Sequence, residues 1–335
     1  MDSLSQLTLG AAVTVAVMGK RVPLWQAALV GAVAGTLPDL DVFIDHGDAI
    51  RNMTLHRTES HALIILTLIA PLLGWLVAGA TRSRAHWRGW TLAMWLALVT
   101  HPLLDLTTVY GTQLGLPLTD FPYAIGSMYI IDPLYTLPLL IALLVALWRR
   151  DAVGLRWNQA GLLVSTLYLG WSMVAQSIAT QHIEQALAQQ SVQPEQALAQ
   201  QSVQPEQLLV TPTAFNTLVW RTVIMTPERY GEAYWSLLSP GRLLQISWHD
   251  RQPALFAPFK GQWHAERVAW FSHGFYAMKQ QGDRTLISDL RMGEEPSYTF
   301  TFNLGSPQSP ELAPQREPSV RPALGEAWRK LRERL

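Results

Sequence analysis

Six apolar segments fill the first half of the chain and constrain its fold more than any other feature. They run at about residues 4–19, 22–37, 62–80, 90–105, 133–148 and 159–178. A membrane-spanning helix needs about 20 apolar residues, a length that the third and sixth segments meet clearly, the fourth and fifth nearly, and the first two only marginally. A soluble bundle of buried helices is the alternative, but segments without charged faces disfavour it. We therefore predict a mainly α fold, a polytopic membrane bundle of about 5–6 apolar helices.

The composition narrows the possible partners and ligands. Only 15% of the residues are charged, and 25 basic residues balance 25 acidic ones. A balanced charge gives no reason to expect a nucleic-acid partner, so the expected surroundings are a lipid bilayer, and the sequence identifies no protein partner. The chain has no cysteine, which excludes disulfides and thiolate ligands. Any metal site must therefore use His, Asp and Glu.

Basic residues mark alternate connections between the apolar segments. They are Lys20 and Arg21, then Arg82, Arg84 and Arg88, then Arg149, Arg150 and Arg156. Because cytoplasmic loops of membrane proteins are enriched in Lys and Arg, one topology puts these three connections in the cytoplasm. The connections at 38–61 and 105–132, and everything after the sixth segment, then lie on the outer side.

The two predicted outer connections, together with the residues that flank them, carry an unusual set of ionisable side chains. His101 and Asp105 are four residues apart, so they share one face of a helix. Taken alone, this pair is expected more often as a structural ion pair at a helix end than as a functional site. The whole set on the predicted outer side is Asp39, Asp41, His56, His61, His101, Asp105 and Asp132. These side chains suit a divalent metal, Zn²⁺ first and Mn²⁺ or Fe as alternatives, and would suffice for two ions or for one with supporting carboxylates.

Each member of this set also has a structural interpretation. Asp39 and Asp41 could be turn or cap residues after Pro38, and Asp132 could cap the helix that begins at Pro133. Arg57 could hold a phosphate or carboxylate group, or pair with a nearby acidic residue. Convergence on one side of the membrane favours the metal site over these separate explanations. By contrast, Asp45, His46 and Asp48 have the pattern of a solvated loop.

The second half of the chain changes in character. Short β-branched or aromatic stretches predict strands at 218–225, 243–248, 268–271, 285–290 and 298–302, with a hairpin turn at 281–284. Residues 184–194 are repeated identically at 195–205, which we interpret as a helical linker without chemistry. The predicted domains are a helical membrane domain at 1–182, the linker at 183–207, a small antiparallel β domain at 208–304, and a Pro-rich, disordered tail ending in a charged helix at 305–335.

Several motifs together carry a resemblance to a known family. They include Gly35-Thr-Leu-Pro-Asp-Leu-Asp41, His56-Arg with Ser-His61, Thr100-His-Pro-Leu-Leu-Asp105 and Ile131-Asp-Pro133. Over about residues 1–180 the chain resembles the YdjM/YbcI-like family of inner-membrane metal-dependent hydrolases. The resemblance implies a multi-pass protein of the bacterial inner membrane. The His-x3-Asp element is also remotely similar to zinc-dependent phospholipase C and related nucleases, which points to phosphoester substrates. One departure is Gln6, where some family members have His.

The leading hypothesis is a membrane-bound metal-dependent hydrolase of a phosphoester or lipid-like substrate at the periplasmic face, with the C-terminal domain periplasmic or extracellular. The expected metal ligands are His56, His61, His101, Asp105, Asp39 and Asp41. The expected catalytic residues are Asp41, Asp132 and Arg57. Two alternatives from other classes are a transporter or proton relay, and a non-catalytic membrane protein of stress response or assembly. A transporter should carry ionisable residues towards both faces, whereas the sequence places them at one.

Overall fold

The computed structural model describes residues 1–192, 205–319 and 324–334 of the 335-residue chain. It divides into two compact units. The first unit comprises Met1–Ile44, Arg57–Met173 and Ala214–Asn216, and the second comprises Asp45–His56, Val174–Thr213 and Thr217–Leu335. The chain therefore leaves the first unit and returns to it once before the β region begins. The four-part linear division at residues 182, 207 and 304 stays a prediction.

Helices account for about half of the chain. The α-helices are α1 (Ser3–Met18), α2 (Leu24–Thr36), α3 (Ala49–Thr54), α4 (Leu63–Ala80), α5 (Trp87–Leu106), α6 (Pro133–Arg149), α7 (Ala152–Val192), α8 (Trp263–Phe271) and α9 (Leu324–Arg334). Short 3-10 helices cover Pro38–Phe43, Glu59–His61, Arg84–His86 and Pro253–Phe259. Each of the six apolar segments of the sequence lies on one of the longer helices.

Among the described residues, two helices are long and apolar enough to cross a membrane. They are α4, at Leu63–Ala80, and the part of α7 at Ala152–Gln189. They contain the third and sixth apolar segments, the two with clear spanning length. Helices α1, α2 and α6 are apolar but have only 16, 13 and 17 residues. A bundle of 5–6 spanning helices is therefore not confirmed, because the length and hydropathy of most segments fall short of a full span.

Glycines bring α1 and α2 unusually close together. A Cβ atom added to Gly31 would lie 2.3 Å from the carbonyl oxygen of Gly10, and one added to Gly35 would lie 2.6 Å from that of Gln6. Gly31 and Gly35 are four residues apart on α2, which is the small-xxx-small spacing of closely packed membrane helices. Since no side chain separates the two backbones here, the C-terminal end of α2 is fixed against α1.

The second unit contains antiparallel sheets. The strands are β1 (Gln207–Pro212), β2 (Val219–Met225), β3 (Arg229–Ser236), β4 (Ser247–Asp250), β5 (Tyr276–Gln281), β6 (Arg284–Glu294), β7 (Ser297–Asn303), β8 (Gly305–Ser306) and β9 (Ser309–Pro310). They form a four-stranded sheet β1-β2-β3-β4, a three-stranded sheet β5-β6-β7 and the hairpin β8-β9. Trp220, Ala233 and Trp235 pack against Ala175 and Ala179 of α7 in one core cluster.

The predicted antiparallel region and the hairpin turn at 281–284 are confirmed, but several local predictions are wrong. Residues 268–271 belong to α8, because Ala265, Val268 and Phe271 are buried at helical spacing. Residues 243–246 precede β4 and are not in a strand. The tail is ordered over much of its length: it contains β8 and β9, and the amide of Asn303 donates to the carbonyl of Gln315 at 3.0 Å.

Two predictions fall partly outside the described residues. The repeat is helical through Val192, where α7 ends, and residues 193–204 are not described. The predicted C-terminal helix is α9, and residues 320–323 before it are not described.

Candidate metal centre

Four side chains from three parts of the first unit converge on one point. Asp39 lies in the first turn of the 3-10 helix Pro38–Phe43, which follows α2 directly. His61 ends the 3-10 helix Glu59–His61 just before α4. His101 and Asp105 lie near the C-terminal end of α5 and point the same way because they are four residues apart.

The distances within this group match the coordination shell of a small divalent metal. The two histidine Nε2 atoms are 3.2 Å apart. His61 Nε2 lies 3.5 Å from Asp39 Oδ1 and 3.3 Å from Asp105 Oδ2. His101 Nε2 lies 3.4 Å from each of these oxygens. Metal–ligand bonds of about 2.0–2.1 Å place tetrahedral ligand atoms about 3.3–3.4 Å apart, so five of the six separations are those of a tetrahedral zinc-type site.

Both imidazole rings are held so that Nε2 carries the lone pair. Nδ1 of His101 lies 2.7 Å from the carbonyl oxygen of Gly35, which can only accept, so Nδ1 donates the proton. Nδ1 of His61 lies 2.8 Å from the hydroxyl of Ser60, and that hydroxyl donates to Asp41 Oδ2 at 2.6 Å. Since the hydroxyl has one proton, it accepts from His61 Nδ1. This backing by a carbonyl and a carboxylate is the usual support of metal-binding histidines.

The two carboxylate oxygens of Asp105 have different surroundings. Its Oδ1 is contacted by Gln6 Nε2 at 3.1 Å, by Arg57 Nη2 at 3.2 Å and by the buried amino group of Met1. Its Oδ2 is buried and accepts no hydrogen bond, although two Nε2 atoms lie within 3.4 Å. Lone pairs that face one another in a buried site are unfavourable without a cation between them. The unpaired Oδ2 is therefore the expected state of a metal ligand.

Asp39 is the most exposed of the four converging residues. Its side chain is 24% exposed, whereas those of the other three ligands are fully buried. Burial raises the pKa of the Asp39 carboxyl, but its contacts with His101 and His61 outweigh burial and hold that pKa below the usual range. Asp39 is thus an anion at neutral pH. A hydrolytic metal needs a coordination position free for water or substrate, so an ion held by all four ligands would have to accept a fifth, and Asp39 is the ligand that leaves the group accessible to solvent.

Arg57 is a second unusual side chain of the site. Arg57 is 4% exposed, and Cζ of its guanidinium group lies 4.9 Å from the centre of the Tyr110 ring. Its backbone adopts a left-handed conformation with φ of 65°, and its amide donates to Asp41 Oδ2 at 2.9 Å. The buried Nε and Nη1 atoms have no hydrogen-bond partner. Arg57 therefore brings a positive charge with free donors to the edge of the metal centre.

The other predicted site residues lie elsewhere. Asp41 is not one of the four converging ligands, and it supports His61 and Arg57 instead. His56 belongs to the second unit and is not in the group either. Asp132 caps α6, with Oδ1 accepting from the amide of Leu134 and Oδ2 from the hydroxyl of Tyr168, each at 3.0 Å. Burial raises the pKa of the Asp132 carboxyl.

Sequence reasoning missed the supporting residues Gln6, Gly35 and Ser60. Gln6 was considered only as a position where a relative carries His, and Ser60 could have been found as the neighbour of His61. The solvated-loop interpretation of Asp48 is wrong. Asp48 is buried, caps α3 through Oδ1, and contacts His264 Nε2 through Oδ2 at 3.0 Å.

The donor set therefore fits one divalent ion. Asp39, His61, His101 and Asp105 each offer one ligand atom, and these atoms lie within 4.8 Å of one another. Two imidazoles and two carboxylates suit Zn²⁺, Mn²⁺ or Fe²⁺. A His2Asp2 cluster with three buried members, in a chain whose described part contains two candidate membrane spans, defines the class as a membrane protein that could bind a divalent metal.

Comparison with known proteins gives the family. The family described as YdjM inner membrane protein matches residues 1–179, and the chain belongs to it. The matched region contains all four converging ligands and Arg57. No curated protein and no solved structure matches the chain.

Proposed function

We propose that this chain is a membrane-bound metal-dependent hydrolase that cleaves an ester, with a phosphoester as the first class to test. The observation that carries the proposal is the set of five ligand separations between 3.2 and 3.5 Å around an unpaired carboxylate oxygen. With both Nδ1 atoms engaged by Gly35 and Ser60, the Nε2 atoms of His61 and His101 are directed at the carboxylate oxygens of Asp39 and Asp105, which supports a shared ion. Family membership supports the inner membrane as the location.

His61, His101, Asp39 and Asp105 would hold the ion. When bound, a divalent metal supplies Lewis-acid activation of water and of the ester oxygen. Ser60 and Asp41 keep His61 in the ligating tautomer, and the Gly35 carbonyl does the same for His101. Asp39 leaves one side of the site accessible, and three buried ligands exclude bulk water from the other sides. Our prediction that Asp132 is a general base rests on the sequence, because in the structure both of its carboxylate oxygens accept hydrogen bonds at the start of α6.

The orientation follows from the basic residues. Basic residues cluster in every second connection between the apolar segments, beginning at Lys20, Arg82 and Arg149. We propose that these connections are cytoplasmic, because cytoplasmic loops are enriched in Lys and Arg. The metal site and the C-terminal region then face the periplasm. Labelling of single cysteines introduced at Arg84 and at Leu118 with a membrane-impermeant reagent tests this, since the chain has no cysteine of its own. Labelling at position 84 instead of 118 in intact cells would reverse the orientation.

Metal analysis of the purified full chain tests the site. We expect about one ion per chain in the wild type and none retained in His101→Ala/Asp105→Ala. His249→Ala is the matched control, because it removes a histidine of the second unit and should keep the ion. Negligible metal in all three proteins would contradict the proposal that these four residues bind a metal ion.

Hydrolysis is tested on the metal-loaded protein with soluble chromogenic phosphoesters and carboxyl esters. The hydrolase proposal expects turnover that disappears in His101→Ala/Asp105→Ala and survives in His249→Ala. A metal-loaded wild type that cleaves neither soluble class and no phospholipid in vesicles would contradict the hydrolase and leave the transporter and assembly hypotheses.

A further inference from the structure

We infer that the substrate is a membrane lipid with a phosphoester headgroup, whose phosphate is bound by Arg57 and whose hydrocarbon part lies against the exposed apolar side chains of the 3-10 helix Pro38–Phe43. This inference deepens the proposed function and rests on it. Two independent observations carry it: a buried guanidinium with free donors, and an apolar edge on the element that carries the open metal ligand.

The guanidinium is the first observation. Arg57 is buried and contacts Asp105 Oδ1, so its charge stands beside the metal ligands. Its Nε and Nη1 atoms have no acceptor. Buried donors without partners are unfavourable, and the structure keeps them in place through the left-handed backbone of Arg57, the Asp41 contact and the Tyr110 ring. A site built this way is completed by an acceptor from outside the chain.

The chemistry of that acceptor follows from the donor. A planar guanidinium offers parallel N–H groups that match two oxygens of a phosphate. A phosphoester carries a negative charge before it reacts, whereas a neutral carboxyl ester does not. Arg57 Nη2 already contacts Asp105, but a neutral ester would leave the Nε and Nη1 donors of Arg57 without a charged acceptor. The buried cation therefore favours an anionic ester, and among anionic esters a phosphoester has the fitting geometry.

The apolar edge is the second observation. In the 3-10 helix, Asp39 and Asp41 are interleaved with Leu40, Val42 and Phe43. These three apolar side chains are exposed, and Phe43 is 82% exposed. A water-filled site would gain nothing from apolar side chains beside its open ligand. In a protein of the inner membrane, a lipid covers such side chains and can present its headgroup at Asp39 from the same position.

The phosphate arm of the test uses inorganic phosphate as the probe. Its binding to the full chain in detergent, loaded with metal, is measured by calorimetry for the wild type, Arg57→Lys and Arg57→Gln, with metal content measured on the same samples. We expect Arg57→Lys to retain metal, because a charge remains beside Asp105, and to bind phosphate at least about tenfold more weakly, because the guanidinium fork is lost. Equal phosphate affinity in the wild type and both variants would overturn the inference.

The two proposals fail differently in this experiment. A wild type without metal contradicts the proposed function. A wild type that holds metal, but whose phosphate affinity does not depend on Arg57, contradicts only the substrate class. Arg57→Gln is a second variant, which removes the charge altogether. If Arg57→Gln loses its metal, the phosphate affinity of Arg57→Lys alone tests the substrate class.

The lipid arm compares a long-chain phospholipid in vesicles with a soluble phosphoester. We expect Phe43→Ser to lower the ratio of lipid turnover to soluble-substrate turnover about tenfold, since it removes a large apolar contact. Leu243→Ser is the matched control, because Leu243 is 84% exposed and lies in the second unit. An unchanged ratio in Phe43→Ser would overturn the lipid assignment and leave a soluble phosphoester.

Discussion

Two buried groups of ionisable side chains, one in each unit, have opposite bonding patterns. In the second unit, Glu232 accepts from Arg221, from the hydroxyl of Tyr298 at 2.7 Å and from the amide of Glu295 at 3.2 Å. Arg221 Nη2 also donates to the carbonyl of Leu290 at 3.0 Å, although its Nε has no hydrogen-bond partner, so the contrast with the first unit lies in the carboxylate. In the first unit, the Nε2 atoms of two histidines and the oxygens of two carboxylates face each other, and the Oδ2 of Asp105 has no hydrogen-bond partner.

This difference separates a structural cluster from a binding cluster. Glu232 has its donors inside the protein, so its cluster holds the sheets together without any ligand. In the metal group, Arg57 and the amino group of Met1 both contact Oδ1 of Asp105, whereas its Oδ2 has no hydrogen-bond partner. Burial alone would have suggested the same role for both. Counting donors against acceptors assigns them different roles.

The largest effect is expected from removing Glu232, the partner of the buried Arg221 in the second unit. Glu232→Leu should lower the free energy of unfolding by about 3–5 kcal/mol, because it leaves the buried Arg221 charge without its partner. Thermal or denaturant unfolding measures this, and metal content should stay at the wild-type level. The double variant Arg221→Met/Glu232→Leu should recover most of the loss. A single variant as stable as the wild type would show that the pair contributes nothing.

A smaller effect is expected from changing Asp41, which supports the metal ligand His61 through the hydroxyl of Ser60. Asp41→Asn removes the charge that orients Ser60 and His61, and should weaken metal affinity about 10–100-fold, or about 1.4–2.7 kcal/mol. Competition with a chromophoric chelator measures this affinity. Asp45→Asn is the matched control, since Asp45 is exposed and bonds Gly47 and Asn52. An Asp41→Asn protein with wild-type affinity would contradict the supporting role.

The third effect is confined to acid pH and concerns Glu294, the carboxylate that holds α9. Burial raises the pKa of Glu294, but Lys330, Tyr234 and Arg334 outweigh it and lower that pKa from 4.5 to about 2. A lowered folded-state pKa contributes stability above about pH 4.5 and loses it as the pH falls towards 2. Unfolding of the wild type should show this acid loss, and Glu294→Gln should lack it. Parallel pH profiles for the two proteins would exclude Glu294 as its source.

Much of the helical half and part of the metal group could be predicted from the sequence. The spacing of His101 and Asp105 is local, and apolar length located α4 and the spanning part of α7. Asp39 and His61 required a topological argument, because they are separated by 22 positions along the chain. The position of Asp41 behind His61 could not be predicted, since one carboxylate of a Pro-Asp-Leu-Asp turn looks like the other until the backbone fixes their directions.

The β region was predicted less well for a physical reason. Val268 to Phe271 is a short run of large apolar residues, and such a run fits a strand and a helix equally. Only burial of Ala265 together with Val268 and Phe271 reveals the helical period. The ordered tail was missed because its partners on β7 are distant in the sequence, and composition alone cannot indicate such pairing.

The excursion of residues Asp45–His56 into the second unit means that this protein cannot be dissected by a single cut. The excursion begins after the ligand Asp39 and ends before the ligand His61, and within the second unit Asp48 contacts His264 and the amide of Ala49 donates to the carbonyl of Pro314 at 3.3 Å. A fragment ending at residue 179 would keep every metal ligand but would expose the buried face of α3. The C-terminal half is thus part of the folding requirement of the loop that carries the ligands.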